Sequence, residues 1–174
     1  GLTPDGLPIN NYFAEHPDFY AMNSAGERVK NLQLCFGNMA LREEFTRRFL
    51  ECAELLGTDG IYSISAMDWP GTFCYCPACR KLEEQYHCSA GPLLDYLIEL
   101  CGIVAEKHPR IYLSTTAYRK DQSEKPPQLN GKRLPDNMMI VFAPIDDDFS
   151  KTFEHANNAE TYRHIQEWGR LTDN

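Results

Sequence analysis

The sequence predicts an α/β protein assembled from parallel strand and helix units, and three features carry that reading. Short apolar runs rich in β-branched and aromatic residues recur near 32–36, 61–66, 111–116 and 138–143. Between and after them, apolar residues return at helical spacing. Turn-forming strings of Pro, Gly, Asn and Asp separate the two kinds of segment, which gives the strand, helix, strand order of parallel βα units.

Taken in order, the first thirty residues hold Pro4, Pro8, Pro17, Gly1, Gly6 and Gly26 among scattered aromatics and read as a loop-rich lead-in. Leu32–Phe36 reads as the first strand. Asn38 is a natural N-cap for a helix whose apolar positions Leu41, Phe45, Phe49, Ala53 and Leu56 lie on one side, with Gly57 ending it. Ile61–Ala66 is the second strand, stopped by Met67-Asp68-Trp69-Pro70-Gly71. A strong helix begins near Pro92, a favoured first helical residue, and runs through Leu94, Leu97, Ile98, Cys101 and Val104 to the His108-Pro109 break. Ile111–Thr116 is the third strand. Residues 119–137, with Pro126, Pro127, Gly131 and Pro135, read as one long loop, Met138–Ala143 as the fourth strand, and Glu160–Trp168 as a last helix.

Composition narrows the function classes. With 174 residues and 43% hydrophobic content the chain can bury a core as a single segment, residues 1–174. A formal net charge of -8 argues against an electrostatically driven nucleic-acid binder. No run of eighteen uncharged apolar residues is present, so no membrane span is expected, and Gly1–Asp5 lacks the basic and apolar regions of a signal peptide. No glycine-rich phosphate turn follows any strand, which weakens a nucleotide-binding open sheet. Periodicity alone leaves an open doubly wound sheet and part of a barrel both standing; in either, ligands sit at the carboxyl ends of the strands.

Those ends are polar. Asn38 follows the first strand, Asp68 and Trp69 the second, Tyr118 the third, and Asp146, Asp147 and Asp148 the fourth. Two carboxylates across a cleft suit glycoside hydrolysis, one protonating the leaving oxygen while the other activates water or attacks the sugar. Asp68 and Asp146 are the expected pair, of the three aspartates at most one acting, and Trp69 offers a stacking face. The competing reading is that Asp68 and Asn38 cap the turns that follow. If the strands bearing Asp68 and Asp146 lie two places apart, their backbones are on the order of 10 Å apart, nearer the geometry of an inverting pair than of a retaining one.

Seven cysteines is an odd count, which disfavours an all-disulfide framework. Cys35, Cys52 and Cys101 sit among apolar residues and read as small buried hydrophobes. Cys74, Cys76, Cys79 and Cys88 are close enough in sequence to share a structural zinc, with His87 as an alternative fourth ligand; a disulfide or reduced thiols are the other readings. No set of three ligands with an open position is visible, so no metal or other cofactor is expected in catalysis itself.

Several motifs together resemble the DUF4838 family: Glu15-His16-Pro17-Asp18-Phe19-Tyr20-Ala21-Met22, Gln33-Leu34-Cys35-Phe36-Gly37-Asn38, Ser63-Ile64-Ser65-Ala66-Met67-Asp68, Cys74-x-Cys76-Pro77-x-Cys79, and Ala117-Tyr118 before a Pro-Pro loop. The likeness runs along nearly the whole chain. It implies a partial or distorted (β/α)8 TIM barrel of glycoside-hydrolase type, of which this chain holds the middle strands, partnered by the rest of the parent barrel and neighbouring domains. It also implies a carbohydrate substrate and a periplasmic or extracellular setting in polysaccharide-degrading bacteria. His16, Cys35, Asn38, Asp68, the cysteine trio and Tyr118 match the family pattern, so His16 joins Asn38, Trp69 and Tyr118 as an expected sugar contact. One departure stands out: the family tends to have Asn-Asp-Gly where this chain has Met67-Asp68-Trp69. That departure keeps a non-catalytic carbohydrate-binding barrel in play as the first alternative, and a zinc-stabilised protein-interaction module is the second.

Overall fold

The computed structural model describes residues 10–30, 32–68 and 73–173. Its regular elements are α1 (Asn10–Glu15), a 3-10 turn (Pro17–Phe19), α2 (Met39–Leu56), β1 (Asp59–Ser63), α3 (Pro77–Tyr86), α4 (Gly91–Lys107), β2 (Arg110–Ala117), β3 (Met138–Phe142), a second 3-10 turn (Ala156–Asn158) and α5 (Ala159–Leu171). The α/β class holds. Three strands form one parallel sheet in the order β1-β2-β3, with Asp59 opposite Arg110 and Leu113 opposite Met138.

The local reasons are legible. Asn38 accepts hydrogen bonds from the Ala40 and Leu41 amides and starts α2, and Gly57 closes it with its amide on the Ala53 carbonyl. α4 is apolar almost all round, which suits a helix enclosed on several sides: Leu93, Leu94, Tyr96, Leu97, Leu100, Cys101 and Val104 are all buried. Beneath it, Ile111 and Leu113 of β2 and Met138 of β3 complete the main core. Arg42 fastens α2 to α4. Its guanidinium, on a residue only 5% exposed, donates to the Phe36 carbonyl at 2.6 Å, Asp95 at 2.6 Å and Glu99 at 2.8 Å, so the buried charge is paired on every side that matters. No single helix among the described residues is long and apolar enough to cross a membrane.

Two expectations fail here. The (β/α)8 TIM barrel, partial or distorted, is not what the chain forms: the described residues make a three-stranded open sheet and five α-helices, and among them the outer edges of β1 and β3 have no strand partner. The fold is an open α/β sheet. The strand expected at 32–36 is also absent from that sheet. Leu34 makes one isolated antiparallel bridge with Tyr20, while the Ala21 amide donates to the Gln33 carbonyl and the Cys35 amide to the Phe19 carbonyl. The segment is apolar and extended, as the sequence suggests, but its main-chain hydrogen bonds are made with residues 19–21, an antiparallel neighbour outside the sheet. The other three strands fall where expected, within one to three residues at their ends. Helix α3 was not anticipated.

Candidate functional site

Two places concentrate chemistry. The first is a buried corner of four thiols. Cys76 caps α3, its sulfur accepting from the Cys79 amide, and Pro77 occupies the first helical turn. That turn sets Cys76 and Cys79 side by side, while Cys74 precedes them in extended chain and Cys35 arrives from the 32–36 segment. The four sulfurs lie within 4.8 Å of one another, and Cys35 Sγ is 3.5 Å from Cys76, 3.7 Å from Cys74 and 3.8 Å from Cys79. A disulfide is about 2.0 Å long, so no pair is bonded, and all seven cysteines are free. Four buried thiols this close could together hold one metal ion.

The surroundings are those of thiolates. Met22 N–H points at Cys74 Sγ (3.2 Å) and Gly37 N–H at Cys79 Sγ (3.2 Å), and the Arg28 guanidinium stands 4.0 Å from Cys74 Sγ. Gly37 is required for this closeness: a Cβ there would stand 2.9 Å from the Cys79 nitrogen and 3.0 Å from its sulfur. Hydrogen bonding among the sulfurs splits their acidities. The bond from Cys35 is the largest influence holding Cys74 well below the ordinary thiol range, and the same contact pushes Cys35 up to about 12. Cys79 is raised too, its Cys35 contact leading. Without a cation, hydrogen bonding and mutual repulsion keep Cys35 and Cys79 protonated beside the Cys74 thiolate; a bound cation would let the sulfurs ionise together.

Cys88 is not in this group. It packs in the main core with Ala90 and Leu93, and burial pushes its thiol up to about 12. Cys35 takes the fourth place. Its signal in the sequence was the Cys-x-Gly string, a cysteine followed two residues on by a glycine whose bare amide can approach a sulfur.

The second place is the carboxyl end of the sheet. Asp68 follows β1, Tyr118 follows β2 and Asp146 follows β3, so the two aspartates sit in loops after strands two places apart. Both are exposed and Tyr118 is half-buried. Ser65 and Thr116 hydroxyls lie 3.0 Å apart on the surface between them, with Ser63 beside Ser65 at 3.4 Å. Within the Asp146–Asp148 triplet the roles divide. Asp147 is buried against Lys120 (3.0 Å) and the Thr161 hydroxyl (2.7 Å). Asp148 accepts from Ser150 and from Asn157, and these bonds, Ser150 first, hold its pKa below the usual carboxylate value. Asp146 alone faces solvent, taking a long 3.4 Å contact from the Lys120 amide.

The loop after β2 is held rigidly. The fully buried Glu124 carboxylate sits 2.8 Å from His164 Nδ1 and accepts from the Thr161 hydroxyl at 3.1 Å, while the Trp168 indole donates to its carbonyl at 2.7 Å. These contacts bind the loop to α5.

The remaining expected sugar contacts are scattered. Asn38, half-buried, has its side chain committed to intramolecular bonds: the oxygen caps α2, and the amide donates to the Asp18 carboxylate at 2.6 Å. His16 is exposed and stacked on Phe19 with ring centroids 4.5 Å apart. Trp69 lies outside the described residues.

No curated protein and no solved structure matches this chain. A family model described as "Domain of unknown function (DUF4838)" matches residues 4–174. The motifs that first suggested that likeness are thus matched along essentially the full length, and the chain belongs to the DUF4838 family.

Proposed function

We propose that the carboxyl end of the sheet binds and hydrolyses a glycoside, and that the four-cysteine corner carries a structural zinc ion that supports it. The observation behind the sugar reading is the pair of exposed aspartates, Asp68 and Asp146, in the loops that follow β1 and β3, with the Ser65 and Thr116 hydroxyls and Tyr118 at the same end of the sheet. Two strand spacings put the backbones about 10 Å apart, and with side-chain reach this suits a carboxylate pair with a water between them. Asp68 serves as general acid or base and Asp146 as its partner; hydroxyls and an aromatic ring are the groups that pair with a sugar's alternating polar and apolar faces.

Zinc is favoured for the corner by spacing and ligand type. A tetrahedral ion with Zn–S bonds of about 2.3 Å separates its sulfurs by about 3.8 Å. The Cys35 separations of 3.5, 3.7 and 3.8 Å are close to that, and a four-thiolate shell with no open position is a structural one.

The sugar reading is tested by assaying the full-length parent protein on aryl glycosides and oligosaccharides against its Asp68→Asn variant. Activity that falls by orders of magnitude with melting temperature kept supports it. Equal activity in both refutes the role of Asp68, and sugar binding without turnover in the parent favours a carbohydrate-binding module. Zinc is tested separately by elemental analysis of protein purified without added metal: one zinc per chain supports the reading, and none after exposure to zinc refutes it.

A further inference from the structure

One peptide unit beyond β1 receives more buried hardware than its own residue explains. Gln33 is 5% exposed and Gln122 2%, yet both spend their side chains on the main chain of Met67. Gln33 makes a two-bond pairing, its Nε2 donating to the Met67 carbonyl at 3.0 Å and its Oε1 accepting from the Met67 amide at 2.9 Å. Gln122 Nε2 donates to the same carbonyl at 2.9 Å. The Met67 side chain is 49% exposed, so it is the backbone that is gripped.

Taking two carboxamides out of water is costly unless they are hydrogen-bonded, and a loop peptide at a strand end could be served by solvent instead. Asp68 is the next residue. We infer that Gln33 and Gln122 are positioning residues that fix Asp68 at the carboxyl end of the sheet; this rests on the sugar-hydrolysing reading for its purpose, though not for its geometry. The grip acts through main-chain atoms, so it is indifferent to the methionine at position 67. It also joins three parts of the molecule: Gln33 stands two residues before the thiol ligand Cys35, and Gln122 belongs to the loop following Tyr118, whose amide donates to Ser123 Oγ at 3.2 Å. Fixing a reacting group in advance removes the cost of ordering it during reaction, and a displacement of about 1 Å can lower a rate by about a hundredfold.

The experiment uses the full-length parent protein with Gln33→Leu and Gln122→Leu made singly, each also combined with Asp68→Asn. Gln33→Asn keeps the carboxamide donor and acceptor on a shorter arm and serves as the conservative control. Two readouts are taken, glycoside kinetics and backbone 15N order parameters at Met67 and Asp68. The expected result is a kcat lowered about tenfold to a hundredfold in either leucine variant with KM little changed, partial recovery in Gln33→Asn, and no further loss when the leucine variant is added to Asp68→Asn. Losses that multiply with Asp68→Asn would show general damage and overturn the inference. If Gln33→Leu does not fold, Gln122→Leu carries the same comparison. Should the parent turn over no glycoside, the hydrolytic reading falls by itself, and the order parameters then decide the positioning: lower order at Asp68 in the variants supports it, unchanged order overturns it.

Discussion

The core around α4 and the cysteine corner are both buried, and they are held together by different physics. The α4 core is drawn from continuous elements: Leu97, Leu100 and Val104 recur along one helix, Ile111 and Leu113 alternate along β2, and Met138 begins β3. Each contributes a share of burial free energy, and the loss of one leaves the others in contact. The corner gathers Ala21, Cys35, Cys74, Cys76 and Cys79 from three separate stretches, with only the first turn of α3 as regular structure. Five small side chains bury too little apolar surface to fix three stretches of chain. If the corner carries the proposed ion, stability there is concentrated in one shared metal, all-or-none where the core is graded.

The largest expected effect follows from that contrast. On the proposed zinc reading, Cys35→Ser should abolish zinc binding and destabilise the protein by more than any single core truncation, for which about 5 kcal/mol is the ceiling; elemental analysis and denaturant unfolding check the two halves. A strong chelator should reproduce the effect on the parent. Because metal ligation requires the thiols to shed protons, and Cys35 in the metal-free cluster is pushed up to about 12 chiefly by its bond to Cys74, zinc retention should weaken as pH falls. A cluster that kept its metal after loss of Cys35 would break the comparison.

On the other side of it, Leu97→Ala should cost about 3 kcal/mol in urea unfolding while leaving one zinc per chain, since a cavity in the core does not reach the thiols. Arg42→Met comes next, at roughly 2 kcal/mol by the same measurement: it strands Asp95 and Glu99, but their side chains are 24% and 42% exposed and water recovers part of the loss.

How far the sequence spoke depends on the same distinction. Where order is local it was readable: the Asn38 cap and the 41, 45, 49, 53 spacing gave α2, and the apolar girth of 93–104 gave α4. Three strands were placed nearly correctly for the same reason. The 32–36 segment misled because an extended apolar run looks alike whether it joins a sheet or wraps past one, and its destiny was set by partners at Met67 and in the thiol corner, thirty to forty residues away. Asp68 and Asp146 were locatable because strand ends are local features; the Gln33 and Gln122 grip was not, since nothing about a glutamine's neighbours in sequence reveals which peptide it will hold. Helix α3 went unread although Pro77 after a capping cysteine was a usable signal.

Cys88 shows how the helix decides the ligand set, and it supplies the smallest expected effect. Cys79 sits in the first turn of α3 and Cys88 just past its end, and ten helical residues carry a chain about 15 Å. Once α3 forms, nine residues of sequence proximity become separation, and Cys88 passes into the main core beside Ala90. Cys88→Ala should therefore cost only about 1 kcal/mol and leave the zinc content unchanged, while Cys35→Ser, 39 residues from the nearest of the other candidate ligands in sequence, should remove it. Elemental analysis of the two variants side by side tests this directly: metal lost with Cys88 and kept with Cys35 would mean that the spacing of the cysteines, and not the path of α3, selects the ligands.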